Sequence, residues 1–329
     1  MTGGLHDDEL DSGAGTVRAL LASQCPQWTR AQVHELDTSG TDNAMWRVEL
    51  RDEPDVVVRL PRRPGAAAKV AEEVAVLEAL ATTPLTSIVR TPTVVHRGHA
   101  EEVFPHEWSV LRWIDGIDAW TARDSLDADA HPGGDDDVGR GDLTQLAVGL
   151  ADAVHAVRDL DGLPVGRRAR GDRGGPIGPL LRRLDWWLTD PQWGAASFVD
   201  VDEVRRLADQ AREVVHEPVI QRVVHGDLIP GNLVLQPRAG RLHLAAIIDW
   251  GSAALADPAQ DLAPAWALFE GRSRDAFRDA MGADEAMWLR ARAFELEHAV
   301  GGIVYYRPRH HPLGDVMNRT LERILASER

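Results

Sequence analysis

His225-Gly226-Asp227-Leu228-Ile229-Pro230-Gly231-Asn232, followed by Ile247-Ile248-Asp249-Trp250, sets two carboxylates and an amide within one short length of chain. Val223-Val224 before the first motif and Leu233-Val234-Leu235 after it are β-branched or apolar runs, so the motif is expected as a loop between buried strands. Gln236-Pro237-Arg238-Ala239-Gly240 supplies a turn. The run from Leu242 to Ile248 then re-enters the core and delivers Asp249 at its end. Such a hairpin would bring Asp227, Asn232 and Asp249 together.

Oxygen-bearing side chains in this order suit phosphoryl transfer. That reaction asks little covalent chemistry of a protein, which has to position the acceptor hydroxyl, hold magnesium on the phosphates and spread negative charge. Kinase catalytic loops carry an Asp followed five positions later by an Asn, with a second Asp on the next segment. Asp227, Asn232 and Asp249 keep that order. Magnesium prefers oxygen ligands in near-octahedral geometry, and a carboxylate and an amide oxygen supply two while nucleotide oxygens and water complete the shell. Asp249 and Asn232 are read as the metal ligands and Asp227 as the catalytic residue. Either motif alone reads as an ordinary turn or strand end, because Asp and Gly are common there; both in order, flanked by apolar strands, weigh against coincidence.

These residues resemble the aminoglycoside phosphotransferase family, a kinase-like group that includes macrolide phosphotransferases and other small-molecule kinases. The likeness runs from Thr41-Asp42-Asn43-Ala44 through Val58-Arg59-Leu60-Pro61-Arg62, through Trp108-Ser109-Val110, and from His225 to about Arg307; it is loose between about 120 and 215. It implies an α+β, bilobal protein-kinase-like fold, with a small β-rich N-lobe over residues 1–113 that binds nucleotide and a larger, mainly helical C-lobe over 114–329. It implies Asp227 as the base or hydroxyl-orienting residue, Mg2+ on Asn232 and Asp249, ATP or GTP as phosphate donor, and His225 as a brace of the loop. On the resemblance alone, the hydroxyl acceptor is an antibiotic-like small molecule, aminoglycoside first and macrolide second. A metabolic kinase of choline, homoserine, sugar or ketosamine type shares the same constellation, and fold does not choose between them. A nucleotide-binding regulator without catalysis is the third reading.

Two departures narrow the class. Protein kinases of the Ser/Thr type usually carry Lys two positions after the catalytic Asp, where this chain has the apolar Ile229. Only a short run separates Asp249 from the helix-like Asp261-Leu262-Ala263, which leaves no room for a long activation segment with an Ala-Pro-Glu end. A small-molecule acceptor fits better than a peptide.

The amino-terminal half has to supply a nucleotide site. Kinases reach the phosphates with a strand Lys paired to a helix Glu, yet the only Lys is Lys69, which is not on a strand pattern and reads as a surface residue. Val56-Val57-Val58-Arg59-Leu60 is the one candidate strand with a cation at the expected place, so Arg59 takes the role, keeping the charge and adding a planar donor fork. Val70, Val74, Leu77 and Ala81 recur at helical spacing. At about 100° per residue Glu73 flanks that face and Glu72 lies opposite, which makes Glu73 the partner for Arg59. Thr38-Ser39-Gly40-Thr41-Asp42-Asn43, between apolar pieces around Val33 and Met45 to Leu50, is the candidate cover over the phosphates, with Ser39, Thr41 and Asn43 as contacts; a plain hairpin turn explains the same residues. Trp108 to Ile114 reads as the last strand, ended by Asp115-Gly116. It is the candidate hinge, where backbone groups of Arg112 and Ile114 would meet the base.

At 329 residues with 44% apolar composition the chain can bury a sizeable core. A formal charge of −16 disfavours nucleic acid as a partner and could attract a cationic substrate. No apolar run reaches membrane-spanning length, the start lacks the layout of a secretion signal, and a lone Cys25 cannot form an internal disulfide. A cytoplasmic monomer or homodimer without a membrane partner is the expectation. Asp124 to Asp137 reads as a solvated acidic insertion, and Leu143, Leu146, Ala147, Leu150, Val154 and Val157 as the stripe of a core helix. Gly166 to Gly175, with Arg167, Arg168, Arg170 and Arg173, could suit phosphate or nucleic-acid contact, but its Gly content and lack of aromatics favour an exposed loop. Core packing is the expected role of Trp186, Trp187, Trp193, Trp266 and Trp288.

Overall fold

The computed structural model describes residues 10–36, 42–126, 143–239 and 241–327. Ser39 and Thr41 of the expected phosphate cover, and the acidic segment from 127 onward, lie outside the described residues. The chain divides into two compact units, one reaching Thr83 and including Thr91–Asp115, the other formed by Pro84–Arg90 and Gly116 onward.

The first unit contains α1 (Ala14–Gln24), β1 (Gln32–Glu35), β2 (Asn43–Glu49), β3 (Val56–Pro61), α2 (Pro64–Ala67), α3 (Val70–Leu80), β4 (Val94–Gly98) and β5 (Trp108–Arg112). Its sheet has the order β1-β2-β3-β5-β4, antiparallel throughout. In β2 the alternation of a half-buried strand turns Ala44, Trp46 and Val48 inward. The central strand β3 is buried at every position, as its near-continuous Val-Val-Val run requires. Val17, Leu20 and Leu21 of α1 pack with Val48, Val56, Val58, Leu60, Trp108 and Val110, and each fully buried Leu or Val is worth about 1.5–3 kcal/mol.

Two boundaries differ from the sequence reading. The helix ends at Leu80, which takes the buried place, while Ala81 caps the end and is exposed. The strand expected over 108–114 runs only to Arg112; the Trp113 N–H still donates to the Asp55 carbonyl at 2.9 Å, one step further along the β3–β5 register, and the Trp113 ring lies under Arg47 at 4.7 Å.

The second unit is mainly helical: β6 (Ile117–Asp118), α4 (Arg123–Leu126), α5 (Leu143–Arg158), α6 (Ile177–Thr189), α7 (Val201–Arg212), β7 (Arg222–Val224), β8 (Leu233–Arg238), β9 (Arg241–Ile247), β10 (Ala254–Ala256), α8 (Pro264–Ala267), α9 (Gly271–Ala280), α10 (Glu285–Tyr306) and α11 (Leu313–Ala326). The α5 stripe from Leu143 to Val157 is buried as its spacing predicts. The 22-residue α10 is buried on most sides, as a helix enclosed by others must be. Two of its buried charges are firmly paired: Arg290 Nε donates to Asp257 at 2.7 Å, and Glu297 accepts both arms of Arg183 at 2.6 and 2.8 Å. Two small sheets, β7-β10 and β6-β8-β9, accompany the helices. Among the described residues no helix is long and apolar enough to cross a membrane.

The expected core role of the tryptophans holds for Trp266 and Trp288, which stack at 4.5 Å and are buried. It fails for Trp186, which is exposed. Trp187 and Trp193 are half-buried and stack with it at 4.6–5.3 Å, and Trp187 Nε1 donates to Glu297 at 2.9 Å, while Leu180, Leu181, Leu184 and Leu188 fill the inward stripe of α6.

Candidate active site

β7 delivers the chain to the His-Gly-Asp turn, and the turn is built from a glycine conformation. Gly226 has φ +84°, and a Cβ there would lie 2.3 Å from the Ser252 carbonyl and 2.5 Å from an Arg168 guanidinium nitrogen; only glycine fits such a backbone approach. The fully buried Asp261 accepts the N–H groups of His225 and Gly226 at 2.8 Å each. Gln260 donates to the Gly226 carbonyl.

His225 braces the turn in the way expected of it. Its Nε2 lies 3.0 Å from the Ile248 carbonyl and its Nδ1 accepts the Asp227 N–H at 3.2 Å, so those partners assign the ring proton to Nε2. The ring packs edge-on to Trp250 at 4.7 Å. The imidazole thereby ties the loop to the end of β9.

The Asn232 amide nitrogen donates to the Asp227 carbonyl at 2.8 Å and reaches Asp227 Oδ2 at 3.3 Å. The Asn232 carbonyl accepts the Ile248 N–H at 3.0 Å, and β8 pairs with β9 through Leu233 opposite Ile247. Asp249 follows directly, in a left-handed conformation with φ +64° and ψ +70°. For a residue other than glycine this costs on the order of 1 kcal/mol, and such strain collects at functional sites. Asp227 and Asn232 are therefore in contact, and Asp249 follows Ile248, which bonds to the Asn232 carbonyl. The turn is tighter than the five residues expected, since β8 runs to Arg238 and Ala239 takes φ +51°.

One segment departs in part from its sequence reading. Gly166 to Gly175 is a loop in which Gly166, Arg167, Ala169, Arg170 and Asp172 are exposed as expected, but it is tied down by backbone bonds: Arg168 donates its N–H to the Leu255 carbonyl at 3.0 Å, Leu255 donates to Gly166 at 2.9 Å, and Asp257 donates to Gly174 at 2.8 Å. Gly174 and Gly175 are buried and closely packed, whereas Gly166 and Gly171 face open space. Arg167 and Arg170 are exposed, but Arg168 donates to the Ser252 carbonyl, and Arg173 reaches Asp227 Oδ1 at 3.3 Å and His298 Nδ1 at 2.8 Å. Burial would raise the Asp227 carboxyl, yet the Arg173 guanidinium, with His298 and His225 behind it, outweighs burial and holds it below the usual carboxylate range. Asp227 is thus held as an anion. The sequence reading assigns Arg168 and Arg173 only a place in the basic run and Asp261 only a place in a helix-like segment, and it does not name Gln260 or His298; the basic run in a strongly acidic chain is the one visible signal.

In the first unit, Arg59 Nη1 forms an ion pair with Glu73 Oε1, both side chains almost fully buried, while Glu72 is exposed. Asn43 opens β2 opposite Pro61. The Arg112 N–H is committed to the Thr93 carbonyl at 2.8 Å, so a base contact at this position would fall to the Arg112 carbonyl or to Ile114, which lies past the strand end.

A two-unit α+β chain with this loop has the pattern of kinase-like phosphotransferases. The family model described as "Phosphotransferase enzyme family" matches residues 34–294, and the chain belongs to that family. It is an enzyme that transfers a phosphoryl group to a hydroxyl. Among solved structures it is similar to the GDP and kanamycin complex of APH(2″)-IIIa, at 18% identity over 95% of this chain and 99% of that chain with TM-score 0.66. It is also similar to macrolide 2′-phosphotransferase type I, at 17% identity over 98% of both chains with TM-score 0.58. A third is a thermostable mutant of aminoglycoside phosphotransferase APH(4)-Ia in a ternary complex with ADP and hygromycin B, at 15% identity over 95% of this chain and 98% of that chain with TM-score 0.58. These likenesses establish the protein-kinase-like fold. No curated protein matches by sequence.

Proposed function

We propose that this small-molecule kinase moves the γ-phosphoryl group of ATP or GTP onto a hydroxyl of an antibiotic-like substrate, aminoglycoside first and macrolide second. The observation that carries the reading is the contact of Asp227 with Asn232, whose carbonyl bonds to Ile248, the residue before Asp249. The substrate order rests on the structural neighbours, which hold kanamycin with GDP and hygromycin B with ADP, beside a macrolide enzyme.

Asp227 is the residue that receives the acceptor hydroxyl. Held ionised, it is a hydrogen-bond acceptor at neutral pH; in a loose transition state it orients the hydroxyl and takes the proton late, as the new P–O bond forms. Asn232 turns its amide nitrogen to Asp227, which reserves the amide oxygen for a cation. That oxygen and the Asp249 carboxylate form a hard-oxygen pair of the kind that holds magnesium, so the residues present fit the metal. When bound, magnesium would neutralise phosphate charge. Arg59, fixed by Glu73, is assigned to the nucleotide phosphates in the first unit, with Asn43 and the Arg112–Ile114 backbone as further nucleotide contacts.

The test is turnover of purified protein with magnesium nucleotide against a panel of aminoglycosides and macrolides, comparing wild type with Asp227→Asn. Transfer to a panel member, lowered about 10²–10⁴-fold in the variant, is expected. Full turnover in Asp227→Asn would overturn the role given to that carboxylate, and silence across the panel would remove the antibiotic class.

A further inference from the structure

The catalytic loop carries no cation of its own. Ile229 stands two positions after Asp227, and the His225 ring is committed to Ile248 and to the Asp227 amide. A phosphoryl group in flight spreads negative charge over three equatorial oxygens, so a site with an apolar residue there calls for positive charge from elsewhere.

Arg173 brings it. Its Nη2 is 3.3 Å from Asp227 Oδ1 and its Nη1 is 2.8 Å from His298 Nδ1, contacts that use two of the five N–H donors of a guanidinium. The Asp227 contact is longer than the 2.7–2.9 Å of a firm charge-assisted bond and than the paired arms of Arg183 on Glu297 at 2.6 and 2.8 Å. Both Arg173 and Asp227 keep 22% of the side chain exposed, whereas the Arg290–Asp257 pair is closed off at 10% and 5%. The first arrangement leaves both groups open to solvent and to a ligand, while the second is closed off.

The root of Arg173 is held to the same turn as Asp227. Gly174, next in the chain, has φ +80°, and a Cβ there would lie 2.0 Å from Gln260 Oε1. The amide of that same Gln260 donates to the Gly226 carbonyl. One side chain therefore sets the arginine loop against the His-Gly-Asp turn.

We infer that Arg173 is a catalytic residue, its guanidinium contacting the transferred phosphoryl group beside Asp227 in place of the cation that Ile229 denies the loop. This assignment rests on the reading of Asp227 given above. In the step it serves, the acceptor oxygen bonds to the γ-phosphorus while the bond from that phosphorus to the β–γ bridging oxygen breaks. The nucleoside diphosphate leaves with the electron pair, and the hydroxyl proton passes to Asp227. Charge on the equatorial oxygens is met by Arg173.

The test needs no acceptor. Aluminium fluoride with magnesium ADP or GDP mimics the planar phosphoryl group, and its effect on nucleoside diphosphate affinity is measured on the full chain by calorimetry. In the wild type the fluoride tightens binding at least tenfold. Arg173→Gln, which keeps donors but no charge, binds the diphosphate alone within about threefold of wild type and loses the tightening. Arg173→Lys keeps the charge without the planar fork, gives a tightening reduced about tenfold, and replaces the first variant should that one not fold. Wild-type tightening in either variant overturns the assignment of Arg173 while leaving the Asp227 reading in place. Absence of tightening in the wild type overturns the phosphoryl-transfer site itself, and Arg173 with it.

Discussion

The Asp261 carboxylate accepts the backbone N–H of His225 at 2.8 Å, and its other oxygen accepts that of Gly226 at the same distance. A carboxylate from one segment thus fixes two peptides of the His-Gly-Asp turn. Replacing it by alanine strands two buried amide donors, each costing about 1–3 kcal/mol. Asp261→Ala should lose about 2–6 kcal/mol in denaturant unfolding, and Asp261→Asn, which keeps one acceptor, about half as much. Stability within 1 kcal/mol of wild type for the alanine variant would show that the amides find other partners.

Gly226→Ala should be poorly tolerated. The added methyl meets the Ser252 carbonyl at 2.3 Å, backbone that cannot step aside, at φ +84°. Turnover should fall at least tenfold together with a loss of roughly 1–3 kcal/mol from positive-φ strain, read by unfolding and by phosphoryl transfer on the same preparation. Gly162→Ala, with positive φ but open space around its Cβ position, is the control and should leave turnover unchanged.

Glu73 and Glu72 are neighbours in sequence with opposite fates. Removing Glu73 leaves the buried Arg59 guanidinium without its ion pair, which costs about 3–5 kcal/mol; removing the exposed Glu72 costs within about 0.5 kcal/mol. Unfolding of Glu73→Ala and Glu72→Ala compares them directly. Equal stabilities would remove the importance given to the pair.

Asp55 gives a pH signature away from the catalytic loop. The Leu50 amide holds its carboxyl below the ordinary value, and Arg47, at 2.6 Å, adds to this against the opposing effect of burial. A carboxyl lowered in the folded state contributes stability that is present above its unfolded pKa, about 3.9, and lost as pH falls through the lower folded value. Asp55→Asn should therefore be less stable than wild type at pH 6–7, with the gap closing as pH drops below about 4. A gap that stays constant from pH 7 to pH 3 would contradict this linkage.

The arrangement of Asp227, Asn232 and Asp249 was open to reading because it is local. Asn232 and Asp249 flank the two strands of a single hairpin, whose apolar runs pair Leu233 with Ile247. Arg59 and Glu73 were legible for a related reason: a Val-rich strand and a helical spacing each fix which way a charge can face, and Glu72 was separated from Glu73 by angle alone.

Arg173, Asp261 and His298 belong to segments that local pattern cannot join. A glycine-rich run of arginines has the same composition whether it is solvated or clamped, and what clamps it is backbone bonding to Leu255 and Asp257 together with contact between Gly174 and Gln260. Periodicity and spacing along the chain gave the α5 stripe, the Val-rich strand and the hairpin that carries the candidate residues Asp227, Asn232 and Asp249. Packing of distant segments decided which cation stands over Asp227 and which carboxylate holds its turn, since short-range pattern encodes the facing of a residue but not the partner that arrives there.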